Sequence, residues 1–146
     1  MFSNIVVGTD GSETAKLAVS LAADLAKKHG AVLHLVNAYK TPSGRTGVVQ
    51  AGPTGVAAQE TSAEAFKAVS KKILAEAARA TSEVKVETHS ERGAPADVVI
   101  SVAEETGAEI IVVGSKGMQG ARRIIGSVPN SIAHRAPCHV LIAKTA

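Results

Sequence analysis

Gly114-Ser115-Lys116-Gly117 and Gly126-Ser127-Val128-Pro129-Asn130 are the stretches of this chain whose residue types and spacing could do chemistry. Glycine lets main-chain N–H groups approach an anion closely and accepts positive φ, and Lys116 adds a mobile cation, so the first stretch suits a phosphate tail. In the second, Ser127 reads as a helix N-cap, Pro129 fits a first turn where its missing N–H is no loss, and Asn130 takes the capping-box partner position. A helix starting there, preceded by Gly126, would turn unpaired N–H groups and its positive dipole end toward the same anion. Near the N-terminus, Gly8-Thr9-Asp10-Gly11-Ser12 forms a further turn. Asp10 could cap the following helix or hold a Mg²⁺ ion or ribose hydroxyl; with Ser12 available as the cap, the ligand role is favoured. Taken singly, these features are ordinary turns and caps; Arg122 and Arg123 read as a solvated face, with phosphate contact as the lesser alternative. His29, His34, His89, His134 and His139 are scattered, none with a Ser or Cys at nucleophile–base spacing, so they are assigned structural or surface roles and no catalytic residues are nominated.

The elements that must position these residues alternate. A β-branched run at Asn4–Val7 precedes a helix from about Ser12 to His29, with Ala18, Leu21, Ala22 and Leu25 on one face and a stop at Gly30. Ala31–Tyr39 reads as a buried strand. Lys40 to about Gln59, with four glycines and two prolines, reads as a loop rather than a domain linker. A second helix, about Glu60–Ala80, would present Phe66, Val69, Ile73 and Ala77 on one side. Val84–His89 alternates like a strand wet on one face. Pro95 starts a third helix, with Val99, Val102 and Ala103 inward, and Gly107 ends it. Ile110–Val113 is a fully buried strand, Val128–Arg135 a short helix and His139–Ala143 the last strand. This alternation predicts an α/β fold, a doubly wound five-stranded parallel sheet with helices on both faces. In the order 3-2-1-4-5, strands 1 and 4 meet where the winding reverses, and ligands of such sheets bind beyond the carboxyl ends at that point. The glycine turns flank that crevice, and their convergence favours phosphate binding.

Composition bounds the alternatives. With 146 residues, the chain has the size of one domain, spanning 1–146. It is 45% hydrophobic and 20% charged, with a net charge of +3, no Lys/Arg tracts and hardly any aromatics, which argues against nucleic acid as a partner. The lone Cys138 has no disulfide or zinc-ligand partner and reads as a small residue at the start of a strand. No apolar run approaches the ~20 residues of a membrane span, and a cytoplasmic location is expected.

The chain lacks the Gly-Lys-Ser/Thr of a P-loop, and its first turn, GTDGSE, is not a dinucleotide fingerprint. Three stretches, IVVGTDGSETAKLAV, ERGAPADVVISVAEETGAEIIVVGSKG and GSVPNSIAHRAPCHVLIA, resemble the universal stress protein family, and the similarity spans essentially the whole chain. The family's nucleotide motif, Gly-x2-Gly-x9-Gly-[Ser/Thr], marks its ATP-binding branch. Here it reads Gly114-x2-Gly117-x8-Gly126-Ser127, one residue shorter in the connector. The resemblance implies the adenine nucleotide alpha hydrolase-like fold and an ATP site. It implies that Gly114, Lys116, Gly117, Gly126, Ser127 and Val128 contact the triphosphate, that Asp10 lies near the phosphates or Mg²⁺, and that Gly8, Thr9, Val36 and Val113 line the adenosine pocket. Read without the resemblance, Val36 and Val113 are equally well ordinary core valines.

In the order 3-2-1-4-5 the last strand lies at an edge, yet Val140, Leu141, Ile142 and Ala143 are all apolar. A homodimer pairing the last strands through Val140, Leu141 and Ile142 is expected, as the resemblance also implies; a loop covering the edge is the alternative. The expected function is an ATP-binding regulatory protein of the stress-response type. Its competitors are a slow ATPase or group transferase, an AMP- or cAMP-binding variant, and a nucleotide-free interaction module. With no evident base or arginine finger, binding without efficient turnover is preferred.

Overall fold

The apolar runs of the sequence become strands that bury both faces. The structure, a computed structural model, describes residues 1–40, 55–115 and 126–145. Its elements follow as β1 (Asn4–Gly8), α1 (Glu13–His29), β2 (Val32–Tyr39), α2 (Gly55–Ala80), β3 (Val86–Arg92), α3 (Pro95–Thr106), β4 (Ile110–Gly114), α4 (Ser127–Arg135) and β5 (His139–Ala143). The strands form one parallel sheet in the order β3-β2-β1-β4-β5.

Side chains alternate across a strand, so each central strand feeds two cores. Ile5, Val7, Leu33, Leu35, Ile110 and Val112 pack on one face with Ala18, Val19, Ala22 and Ala26 of α1 and Leu74 of α2. Val6, Val36, Ile111 and Val113 pack on the other with Val98, Val99 and Val102 of α3 and Ile132 of α4. Helices therefore cover both faces. Each fully buried Val, Leu or Ile contributes about 1.5–3 kcal/mol relative to exposure. Gly30 and Gly107, both at φ 66°, close α1 and α3 in the left-handed conformation that glycine adopts without penalty.

Four expectations shift. The helix expected from about Glu60 begins at Gly55, and the remaining part of the expected loop, 41–54, lies outside the described residues. On that helix Phe66 and Val69 are 47% and 56% exposed; among its described side chains Ser70 and Leu74 are buried and Ala77 packs against the core, so the inward face is rotated from the side that carries Phe66 and Val69. β3 runs to Arg92 instead of ending at His89, because main-chain pairing with β2 continues from Leu33↔Val86 to Tyr39↔Arg92 whatever the side chains are. On α1, Leu21 is 36% exposed, and Val19 and Ala26 take buried positions instead.

Two polar residues lie buried in β2, His34 and Asn37. The His34 ring is satisfied at both nitrogens: Nε2 is 2.9 Å from Asn4 Oδ1 and Nδ1 is 3.0 Å from His89 Nε2. Burial, and after it the neighbouring His89, push its pKa below the ordinary imidazole value. Cys138 is half-buried, and burial pushes its thiol up, away from thiolate chemistry.

Candidate functional site

β1 and β4 are hydrogen-bonded neighbours from Ile5↔Ile110 to Val7↔Val112, which brings their carboxyl ends side by side. Gly8 ends β1, and a Cβ there would stand 3.2 Å from Val99 Cγ2, so the bare backbone lets α3 lie close. Beyond it the chain turns under tight control. Thr9 N–H donates to the Val36 carbonyl at 2.9 Å, and the buried Asn37 Nδ2 donates to the Thr9 carbonyl at 2.6 Å. Thr9 Oγ1 accepts from Gly11 N–H at 3.1 Å, and Asp10 Oδ1 accepts from Ser12 N–H at 2.9 Å. Ser12 Oγ accepts from Ala15 N–H at 3.2 Å and caps α1, the role its sequence position implies. Asp10 is exposed on the rim.

At the end of β4, a Cβ on Gly114 would meet Thr145 Cγ2 at 3.2 Å and Ala18 Cβ at 3.7 Å. Ser115 is buried and belongs to the sheet's closure: its N–H donates to the Ala143 carbonyl at 2.9 Å and its Oγ accepts from Thr145 N–H at 3.1 Å. The following helix corrects the capping expectation. α4 begins at Ser127, with Gly126 as N-cap and no side-chain cap hydrogen bond. Asn130 N–H donates to the Gly126 carbonyl at 3.0 Å, the first main-chain bond of the helix, so Asn130 sits one position beyond the capping-box partner. A glycine N-cap has no side chain to occupy the leading N–H groups, and Pro129 in the third position has none to offer. Ahead of Asn130, the N–H groups of Ser127 and Val128, like that of the N-cap Gly126, have no intrahelical acceptor.

Between these parts lies a cavity of about 330 Å³. Gly8, Thr9, Asp10, Val36, Val113, Gly114, Ser127 and Val128 all line it. Gly126 is buried behind Ser127, while Lys116, Gly117, Arg122 and Arg123 lie outside the described residues. Asn37 and Ala38 of β2, Thr14, Ala15, Pro95, Val99, Pro129 and Ile132, none of them expected as site residues from the sequence, complete the lining. A polar residue inside the run VLHLVNAY was a usable signal for Asn37; the helix residues carried none, because their approach depends on tertiary packing. A larger cavity of about 550 Å³ lies between α1 and α2. Its charged lining includes Lys27, already paired with Glu83 at 2.8 Å, and it contains neither Gly114 nor the start of α4. The smaller cavity is the candidate site, since glycine turns, a helix N-terminus and the sheet's switch point converge there.

Fold and crevice together define a doubly wound α/β protein with the adenine nucleotide alpha hydrolase-like fold. The universal stress protein family model matches residues 1–144, and the chain belongs to that family. Universal stress protein YxiE of Bacillus subtilis is 32% identical over 151 residues, covering 99% of this chain and 100% of that one. A universal stress protein solved in complex with cAMP superposes with a TM-score of 0.69 at 29% identity, over 99% of this chain and 98% of the other. The universal stress protein of Archaeoglobus fulgidus in complex with dAMP is similar in fold, with a TM-score of 0.61, 20% identity and 96% of each chain covered. Among the described residues, no helix is long and apolar enough to cross a membrane.

Proposed function

We propose that the crevice binds an adenine nucleotide, with ATP and Mg²⁺ as its ligands, and that residues 1–146 act as one regulatory, stress-response nucleotide-binding domain. The observation that carries this reading is the convergence of eight nominated residues, from four separate segments of the chain, on one cavity. Its volume of about 330 Å³ falls at the lower end of the range for small-molecule sites and suits a nucleoside. Val36, Val99, Val113 and Ile132 supply apolar walls, while the Ser127 and Val128 N–H groups offer a seat for a phosphate. Mg²⁺ binds through one or two carboxylates and substrate phosphates, keeping several waters, and Asp10 is a rim carboxylate of that kind. When bound, the ion would neutralise phosphate charge. The described lining otherwise consists of amides, hydroxyls and apolar groups, suited to holding a ligand, so we read the protein as a binder with at most slow hydrolysis. The relative solved with cAMP supports the cyclic nucleotide as the second reading.

The reading also carries a cytoplasmic location, consistent with a single unpaired cysteine. It further includes a homodimer through the β5 edge. Calorimetry with ATP, AMP and cAMP, with and without Mg²⁺, tests the ligand. We expect ATP to bind best, Ala38→Phe to weaken it at least tenfold by filling the cavity, and Asp10→Asn to remove most of the Mg²⁺ dependence. Preference for cAMP would establish the second reading, and no binding by any of the three would overturn both.

A further inference from the structure

Outside the crevice, and among the described residues, one set of three metal-ligating side chains converges. His34 stands on β2, and Glu87 pairs with it in register on the edge strand β3. His89 lies two residues further along β3, hence on the same face of the sheet. One ring nitrogen from each histidine and a Glu87 carboxylate oxygen all lie within 4.8 Å of one another. The sequence spacing hides this set, since 55 residues separate the two histidines that parallel pairing brings together.

The protonation pattern suits a ligand role. Asn4 Oδ1, 2.9 Å from His34 Nε2, accepts its N–H, which leaves the Nδ1 lone pair directed at His89. A ligating histidine is commonly held in this way, its outer N–H donated to an oxygen that fixes tautomer and ring orientation. The two facing nitrogens, Nδ1 of His34 and Nε2 of His89, are 3.0 Å apart. Tetrahedral zinc with nitrogens at 2.0–2.1 Å would hold them about 3.3 Å apart, so the pair needs to open by only a few tenths of an ångström and rotate its rings. His89 would move its proton from Nε2 to Nδ1 through solvent, with no net change in charge. Two imidazoles and one carboxylate form a set that prefers borderline transition cations to Mg²⁺ or Ca²⁺.

We propose that His34, Glu87 and His89 bind a divalent cation of the zinc class, with water completing the coordination, and that the ion clamps edge strand β3 to β2. The site is distinct from the crevice. Val36, which lines the crevice, pairs with His89 in register and lies about 7 Å along β2 from His34, so the ion would stiffen a strand that both sites share.

The test uses tag-free protein stripped of metal and nucleotide, so its outcome is independent of the nucleotide reading. Calorimetric titration with zinc sulfate should show one tight equivalent, and zinc at a hundredfold excess over Kd should raise Tm by about 5 °C. Glu87→Gln and His89→Gln alter residues that reach solvent; they should weaken zinc about tenfold and a hundredfold while leaving the Tm of the metal-free protein nearly unchanged. Nitrogen NMR of the rings should show zinc moving His34 Nδ1 and His89 Nε2, with His29, His134 and His139 unmoved. Zinc affinity unchanged in both variants, ring signals moving elsewhere, or no binding at about 100 μM zinc would overturn the site.

Discussion

Glu109 lies just before β4, and its carboxylate accepts main-chain N–H groups of another segment: Asn4 at 2.8 Å and Ser3 at 3.0 and 3.1 Å. The Asn4 bond is the largest cause holding its carboxyl below the ordinary value of 4.5. With the folded pKa depressed, the unfolded chain binds more protons between the two values. The stabilisation is therefore complete above about pH 4.5 and is lost as pH falls through the folded pKa. Glu109→Gln should flatten this acid limb, measured as urea midpoints from pH 6 to about pH 3. An unchanged slope would show that the carboxylate is not the anchor. Gly11 shows a different residue-level constraint. At φ 81°, with Ile73 Cγ1 3.2 Å from where a Cβ would lie, it is a turn position that glycine alone fills without strain. The glycine was legible as a turn former; the isoleucine from α2 above it was not. Asn37 likewise became a site residue only when β2 was seen to run beside Thr9.

The two helices on one face of the sheet show how far periodicity reaches at the scale of an element. α2 is rich in alanine, so apolar residues fall on nearly every side and the large ones, Phe66 and Val69, mark a face that remains exposed. What selects the inward side is contact with β2 and β3: Leu74 enters the core at 2% exposure, and Ser70 Oγ meets Ser90 Oγ at 2.7 Å. Leu74→Ala should cost about 2–4 kcal/mol, whereas Phe66→Ala should change stability by no more than about 0.5 kcal/mol. Guanidinium unfolding of both variants checks this, and comparable losses would contradict the observed face. Helix ends were more legible than helix faces, because Gly30, Pro95 and Gly107 act through local backbone geometry. α4 was the exception. Ser127 is an excellent cap by type, but Gly126 holds the position and the helix starts one residue earlier.

At the scale of the whole molecule, β3 and β5 are the edges of the sheet, and they differ in character. β3 carries Glu87, Glu91 and Arg92, charges that discourage a further strand, while β5 offers Val140, Leu141 and Ile142, each half-buried. α1, which touches β5, leaves Leu17 56% exposed. For the proposed β5-to-β5 dimer, Val140→Lys should convert a dimer to a monomer in light scattering at micromolar concentration, with a near-native circular dichroism spectrum. A wild-type monomer would dispose of the pairing. The sequence by itself determined the succession of strands and helices and the turns at their ends, while the order β3-β2-β1-β4-β5 that gathers those turns at the switch point was decided by the strand pairing. The succession and the turns depend on short-range rules, two-residue and 3.6-residue periods and glycine and proline stereochemistry. Tertiary structure alone decided which side of α2 faces inward, that Asn37, Val99 and Ile132 close the crevice, and that His34 meets His89. Such contacts join residues distant along the chain, and no local rule specifies a neighbour that only sheet pairing and layer packing bring near.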